Sequence, residues 1–505
     1  MTDTLLSWCS LHGIEIDSRL HILPDETGIA VYSGSEPIEP FQTLVRIRKN
    51  SVISVKSCSA SEFIESSPYG HQAQLALAMA LLVEIQLGPK SKWYGYLQSL
   101  PTIVDLAIFW HLDDDGREAL QWLKGSEVEQ LLLGPLGIPL INDLKQYYNH
   151  TVLPTLNRLS SKENFQGLPE STLEQFLHAY SLVSSRAFLV DAYHGLSMVP
   201  VADAFNHTYD HHVHLETEFE VCPECGSLQQ CPHDRDADIH LDSDAISKYP
   251  ESEDTYDMVS SSHIAPHSQV FNTYGETLTN AQLLVQYGFA LDVNENDHIS
   301  WHFDDLQGFL ESRQGSPMMA SGLSWEILVK SFSSEAFSDS ELLYDPDTSN
   351  TTEAFRINCD GKLSWQLWLL IASSQCIHLF PTAELGPLLE QLGRYQILVE
   401  NNKSDRHGPL DDLALLLART KSTTVALCQH RKARIGVAAH LQNLGDLVDA
   451  SLLSFISVQH SHVFAQDLQP SQKRTRLALL QVITELAILD SCKASWTEFS
   501  RPSNL

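Results

Sequence analysis

Three short segments gather the side chains that could do chemistry: DAFNH at Asp203–His207, FNTYGETLTN at Phe271–Asn280 and QYGF at Gln286–Phe289. Between them they offer an Asn-His pair, two Tyr-Gly steps and a further Asn. Taken singly, each has a plain structural reading. Asn-His is a common turn with a capping role, and an aromatic beside Gly at a strand end is a common core residue. Asn280 reads as the cap of the helix AQLLVQYG, through its side-chain oxygen. A fourth segment, VCPECGSLQQCPHD, places Cys222, Cys225, Cys231 and His233 as C-x2-C-x5-C-x-H. The CPxCG turn lets two thiolates face one ion, and three sulfur ligands with one imidazole suit a tetrahedral structural Zn²⁺. The second half of the spacing is short, so a chance cluster of reduced thiols is the competing reading. His211, His212 and His214 lie nearby, but no HExxH-type helix accompanies them to make a metal hydrolase. They read as solvated.

The elements that must position these segments follow from periodicity. Gly28–Ser33, Thr43–Lys49 and Val52–Ser57 are β-branched or alternating and separated by Pro and Gly, so residues 1–70 read as short strands and turns. From His71 the period changes to that of an apolar helix ending at Gly88-Pro89, and helical patterns run on to about Leu182. Residues 187–292 return to short strands around the three segments. Within them, Tyr209–His263 is rich in His, Asp, Glu and Ser and reads as a surface insertion, partly disordered. After Asp297 the pattern is mostly helical: 364–373, 386–400, 410–420 and 444–458 each space apolar residues three and four apart. The polar stretch Phe337–Thr352 reads as a loop, and Arg431, Lys432 and Arg434 as a solvated helix face.

At 505 residues the chain is long enough for two or more domains. The nine cysteines are thinly spread outside 222–231 and read as reduced core thiols, not a disulfide framework. A net charge of −32 argues against a nucleic-acid binder and favours basic partners by electrostatic steering. The start MTDTLLSWCSLHG has no basic region followed by an apolar one, and no stretch reaches the roughly 18 apolar residues of a membrane span. The expectation is an intracellular monomer, cytoplasmic or nuclear, away from membranes.

The three segments in this order resemble the active-site core of SET-domain methyltransferases. The layout of β, helical insert, β and helical tail is similar to the split-SET group typified by the Rubisco large-subunit methyltransferase. The passage LALAMALLVEIQLGPKSKWYGYLQSLP at Leu75–Pro101 and the SRAF element at Ser185–Phe188 match that group as well. The resemblance implies an α+β fold: a SET β core of small sheets with a helical insert, then an all-α C-terminal domain. It divides the chain into 1–71 and 183–292 as the two parts of the SET domain, 72–182 as the insert, 209–263 as the acidic Cys/His-rich insertion and 293–505 as a helical substrate-binding domain. It also implies a strand-loop crossing near the active site.

The activity implied is S-adenosylmethionine-dependent methylation of a lysine on an intracellular, non-histone protein. Such a reaction needs alignment, a neutral amine and exclusion of water, with no metal or covalent nucleophile. By the same resemblance, Tyr274 and Tyr287 orient the amine and the methyl group. Gly28, Ile29 and Ala30, Ser185 and Arg186, Asp203, Asn206, His207, Tyr287 and Phe289 hold the cofactor. Gly28 departs from the G-x-G of many relatives, so that loop rests on one glycine. Two alternatives stand beside this reading: a SET-like binding module without catalysis, and a protein-histidine methyltransferase. Tyr287 argues against the second, because relatives acting on histidine tend to lack it.

Overall fold

The computed structural model describes residues 2–25, 28–67, 69–134, 137–218, 220–228, 231–234, 255–314, 337, 339–346, 354–376, 382–401, 411–435 and 472–499. The acidic stretch 235–254, residues 338 and 347–352 of the polar stretch after Phe337 and the helix expected over 444–458 lie outside the described residues. The chain divides into two compact units. The first comprises Met1–Leu106, Gly134–Thr277 and Gln286–Gly288, and the second Ala107–Leu133, Leu278–Val285 and Phe289–Leu505.

The first unit opens with a helix, Thr2–Leu11, where short strands were expected. Its buried residues Leu5, Trp8 and Cys9 sit three and four apart, the spacing of one helical face. The Trp8 indole donates to the Lys92 carbonyl at 2.8 Å, and its Cβ lies where a side chain on Gly95 would have to go. Strands then follow in quick succession: β1 (Glu15–Ile16), β2 (Leu20–Asp25), β3 (Gly28–Ser33), β4 (Thr43–Arg48) and β5 (Ile53–Ser54). The rest of the expected Val52–Ser57 strand is a turn, with Ser57 Oγ accepting from the Ser54 N–H and donating to the Val52 carbonyl.

The helix Gly70–Leu87 is apolar on nearly every face because it is covered on nearly every face. Its one buried charge, Glu84, accepts from the Ser59 N–H at 2.7 Å and the Ser91 hydroxyl at 2.5 Å. It stops at Gly88, whose φ of 54° only glycine adopts readily. The helix Leu173–Arg186 packs against it, begins in a Thr172–Gln175 capping box and runs straight into β6 (Ala187–Asp191).

The remaining strands of this unit are β7 (Gly195–Met198), β8 (Asn206–His207), β9 (Val213–Glu216), β10 (Thr255–Ser260) and β11 (Phe271–Asn272). They form a six-stranded sheet of order β1-β4-β10-β9-β11-β8, a three-stranded sheet β5-β7-β6 and the hairpin β2-β3. β11 runs parallel to both neighbours, with Phe271 opposite Asn206 and Asn272 opposite His207 and Val213. It is thus inserted between two strands that are consecutive in sequence, and the 208–212 connection passes from one side of it to the other. The short sheets are pinned by Asp191. Burial opposes its ionisation, yet hydrogen bonds from His194 and Tyr256 hold the carboxyl at about 2, and Lys49 lies 3.7 Å away.

The second unit is mostly helical. It contains the helices Asp114–Trp122, Glu127–Leu132, Asn280–Gln286, Phe303–Gln314, Trp365–Cys376, Thr382–Glu400, Asp411–Arg434 and Lys473–Glu498. A small sheet of β12 (His298–Ser300), β13 (Leu343–Tyr344), β14 (Arg356–Asn358) and β15 (Leu363–Ser364) accompanies them, and β13 lies inside the stretch read as a loop. Trp110, Trp368 and Trp496 are fully buried here. Arg431 is buried as well, contrary to a solvated basic face. Its guanidinium donates to Glu127 at 2.8 Å, and only Lys432, paired with Asp490, and Arg434 remain exposed.

Candidate active site

The helix Leu173–Arg186 ends with its last two residues at a small cavity of the first unit. Ser185, Arg186, Ala187, Phe188, Leu189, Asp203, Thr273, Tyr274 and Tyr287 line it, and its volume is about 160 Å³. Segments far apart in sequence meet here because each is anchored by its own element. Arg186 Nη1 donates to the Asp203 carbonyl at 2.8 Å and lies 3.9 Å from its carboxylate. Tyr96 reaches the same carboxylate with its hydroxyl at 2.8 Å. Burial pushes the Asp203 carboxyl up against these partners, and it pushes the Tyr96 phenol well above its usual range.

The turn that presents Asp203 begins at Val201, a β-branched residue with φ 73° and ψ −40°. Such a conformation costs on the order of 1–3 kcal/mol and persists where its surroundings over-determine it. Val201 is fully packed and Asp203 is fixed on both sides, which is the over-determination required.

Asn206 and His207 follow on β8. The Asn206 amide donates to Asp25 at 3.1 Å, at the end of the β2-β3 hairpin. His207 Nδ1 accepts from the Tyr274 N–H at 3.0 Å, which leaves Nε2 to carry the proton of the neutral ring. Burial lowers the pKa of His207 and so favours that neutral form. The ring stacks on Tyr274 with centroids 5.1 Å apart, and Tyr274 stacks on Tyr287 at 4.7 Å. Burial pushes both phenols up to about 12, with Asp203 adding to the effect on Tyr274 and Tyr274 adding to that on Tyr287. Both are therefore neutral hydroxyls near pH 7, each able to donate and accept one hydrogen bond.

Tyr287 owes its position to its neighbours. The Ser184 hydroxyl donates to the Gln286 carbonyl at 3.0 Å. Gly288 has φ 80°, and a Cβ there would sit 2.3 Å from the Asp105 carbonyl oxygen.

Gly28 opens β3 with φ 133°, and the position its Cβ would take is 3.8 Å from both Arg186 Nη2 and Pro101. Ile29 and Ala30 are buried opposite Pro24 and Leu23 of β2. Phe289 belongs to the second unit. Asn280 does not cap its helix. Thr279 does, in a reciprocal pair with Gln282, while the Asn280 side chain bonds the backbone of Leu291 and the carboxylate of Asp297.

Sequence reasoning gave no site role to Tyr96 or Thr273. Tyr96 lies within the matching passage Leu75–Pro101, and Thr273 stands next to Tyr274. Cys222, Cys225, Cys231 and His233 also converge, away from the cavity lining, with all four ligand atoms within 4.8 Å of one another.

No family model matches the chain. It is 26% identical to "Ribosomal lysine N-methyltransferase 3" of Saccharomyces cerevisiae over 329 residues, 54% of this chain and 58% of the relative. It is also 26% identical to "N-lysine methyltransferase SETD6" of Rattus norvegicus over 300 residues, 56% of this chain and 53% of the relative. The chain thus spans a little over half the length of these curated relatives. A crystal structure of the SET domain of LSMT bound to lysine and AdoHcy aligns with a TM-score of 0.57 at 16% identity, covering 98% of this chain and 90% of that one. Rubisco LSMT bound to AdoMet aligns with a TM-score of 0.55, again at 16% identity, covering 98% and 91%.

The fold is that of a SET-domain protein: small sheets, an inserted parallel strand and a long helical tail. Within that class the fold is similar to that of Rubisco LSMT, and the curated relatives that the chain matches over part of their length are lysine methyltransferases.

Proposed function

We propose that this chain is an S-adenosylmethionine-dependent protein-lysine N-methyltransferase acting on an intracellular, non-histone protein. The observation that carries the reading is the stacked pair Tyr274 and Tyr287, two neutral phenols lining one narrow cavity beside Arg186 and Asp203. When bound, the cofactor supplies an electrophilic methyl group on a sulfonium. The residues fit it. The missing side chain at Gly28 keeps open the space beside Arg186, a guanidinium suited to a carboxylate. Gly28, Ile29, Ala30, Ser185, Arg186, Asp203, Asn206, His207 and Tyr287 are the residues that would hold it.

The protein's own part is positioning and desolvation. A cavity of about 160 Å³ is below the roughly 300 Å³ of a small-molecule pocket, so it admits the end of a side chain and little water. A lysine amine, with an ordinary pKa of about 10.4, loses its proton more readily when taken out of water and set near positive charge. The two phenol oxygens then accept from the amine N–H groups, which orients the amine and leaves its lone pair free. Their high pKa keeps them from ionising and drawing the amine into an ion pair.

The net charge of −32 favours a basic protein substrate over nucleic acid. No helix among the described residues is long and apolar enough to cross a membrane. We propose a monomer that works in cytoplasm or nucleus.

The test is calorimetric titration with S-adenosylmethionine of the wild type and Asn206→Ala, followed by labelled-methyl transfer to protein fractions and hydrolysis to amino acids. The expected result is binding weakened in the variant and label in Nε-methyllysine. Absence of binding by folded wild type would leave a silent SET-like module, and label in methylhistidine would change the acceptor.

A further inference from the structure

We infer that Cys222, Cys225, Cys231 and His233 form a structural zinc site, and that this site fastens the base of the acidic insertion to the β6-β7 hairpin. The inference is independent of the methyltransferase reading, because none of the four residues lines the active cavity.

The geometry is that of tetrahedral coordination. With Zn–S near 2.3 Å and Zn–N near 2.0–2.1 Å, the edges of such a tetrahedron are about 3.8 Å between two sulfurs and about 3.6 Å between sulfur and nitrogen. His233 Nδ1 lies 3.8 Å from Cys222 Sγ and 3.6 Å from Cys231 Sγ, and every pair among the four ligand atoms is within 4.8 Å. A set of three sulfurs and one imidazole at those distances selects zinc over harder cations such as calcium or magnesium.

The backbone is shaped for the task. Cys222 N–H donates to the Ser227 carbonyl at 2.9 Å and Gly226 N–H to the Cys222 carbonyl at 2.8 Å, closing a tight turn around the first two thiols. Gly226 has φ 74°, and a Cβ there would lie 3.0 Å from the Tyr193 ring, so the turn packs closely against that side chain. Tyr193 is itself fixed, its N–H donating to Asp191 at 3.0 Å in the turn between β6 and β7.

Apolar packing does not explain this order. Among the described residues between β9 and residue 234, only Val221 and Cys222 are buried, while Cys225 and His233 are exposed. Too little surface is covered there to hold a turn by hydrophobic burial, whereas metal binding supplies folding free energy directly.

The experiment uses the full-length, tag-free, reduced protein. Elemental analysis is expected to find about one zinc per chain. Exchange for cobalt should give the visible bands of tetrahedral coordination together with thiolate-to-metal charge transfer. Cys225→Ser and His233→Asn, both at exposed positions, should lose most of the bound metal while the helical circular dichroism stays unchanged. Chelation should raise the rate of protease cleavage within 220–228 and 231–234.

The site is overturned if reduced wild type takes up no zinc or cobalt, if the cobalt spectrum lacks thiolate bands, or if the variants retain full stoichiometry. Protease sensitivity that ignores the chelator would overturn the fastening role even with metal bound.

Discussion

Tyr274 lies face to face with Tyr287, ring centroids 4.7 Å apart and planes inclined by 24°, and both rings line the cavity that Arg186 and Asp203 border. Tyr274 is also stacked on His207, so its ring is held by an imidazole as well as by a second phenol. Tyr274→Phe keeps the stack and removes only the oxygen. Turnover should fall by about 10²-fold or more, the usual effect of deleting one aligned hydrogen-bonding group. Cofactor affinity and melting temperature should hardly move. Equal loss of binding and turnover would instead place Tyr274 in the binding of the cofactor.

Gly288→Ala should be among the most damaging single-methyl changes in the first unit. The added carbon meets the Asp105 carbonyl oxygen at 2.3 Å, and the φ of 80° adds strain of its own. A cost of at least about 2 kcal/mol is expected by denaturant titration. Because Tyr287 is the preceding residue, activity should fall further than lost stability explains. A variant as stable as wild type would show that the turn can shift.

Asn280 and Thr279 separate two roles that adjacent residues are easily credited with together. Thr279→Ala removes a helix cap and should cost about 1 kcal/mol. Asn280→Ala strips partners from the Leu291 backbone and from Asp297, whose carboxyl burial has already pushed up to about 6. Leaving those groups unsatisfied should cost about 2–4 kcal/mol. The reverse ranking in a melting series would restore Asn280 as the cap.

Glu485 is buried in the second unit, and burial followed by the charge of Glu127 pushes its carboxyl up to about 8. The folded state therefore holds a proton that the unfolded chain releases near the ordinary value of 4.5. Between those limits the native state binds more protons than the unfolded one, so this group's contribution to stability declines as pH rises from about 4.5 to about 8 and is flat above. Glu485→Gln, neutral at every pH, should flatten that part of the curve. Parallel slopes for wild type and variant would show that the carboxyl is already ionised when folded.

How much of this was legible in the sequence depended on the distance over which each feature is encoded. Ser185-Arg186, Asp203, Tyr274 and Tyr287 stand in short strings that keep their spacing, and the structure brings those strings to one cavity. The strands Gly28–Ser33 and Thr43–Arg48 and the helix Gly70–Leu87 announce themselves by period and by the Gly-Pro stop. The contact between Tyr96 and Asp203 spans 107 positions, and that between Arg431 and Glu127 spans 304. No window along the chain reports such a pairing, and a basic run on a helix looks solvated until its buried partner is known. The helix Thr2–Leu11 was missed for a different reason. Its apolar face is only Leu5, Trp8 and Cys9, and the strand-rich stretch after it set the expectation.

The placement of β11 between β8 and β9 bears on when the protein can first work. β8, which carries Asn206 and His207, is held in its sheet by β11, and β11 leads directly into Tyr274. During synthesis the early strands and the helices after them can form first, since domains acquire structure from the amino end as the chain emerges. The pocket cannot. It lacks a wall until residues 271–288 have cleared the ribosome and β11 has joined β9, giving β8 a strand to pair with, across a closure that spans the whole acidic insertion. Ligand competence therefore arrives late and all at once, and a chain interrupted before that point has no partly built site to misuse.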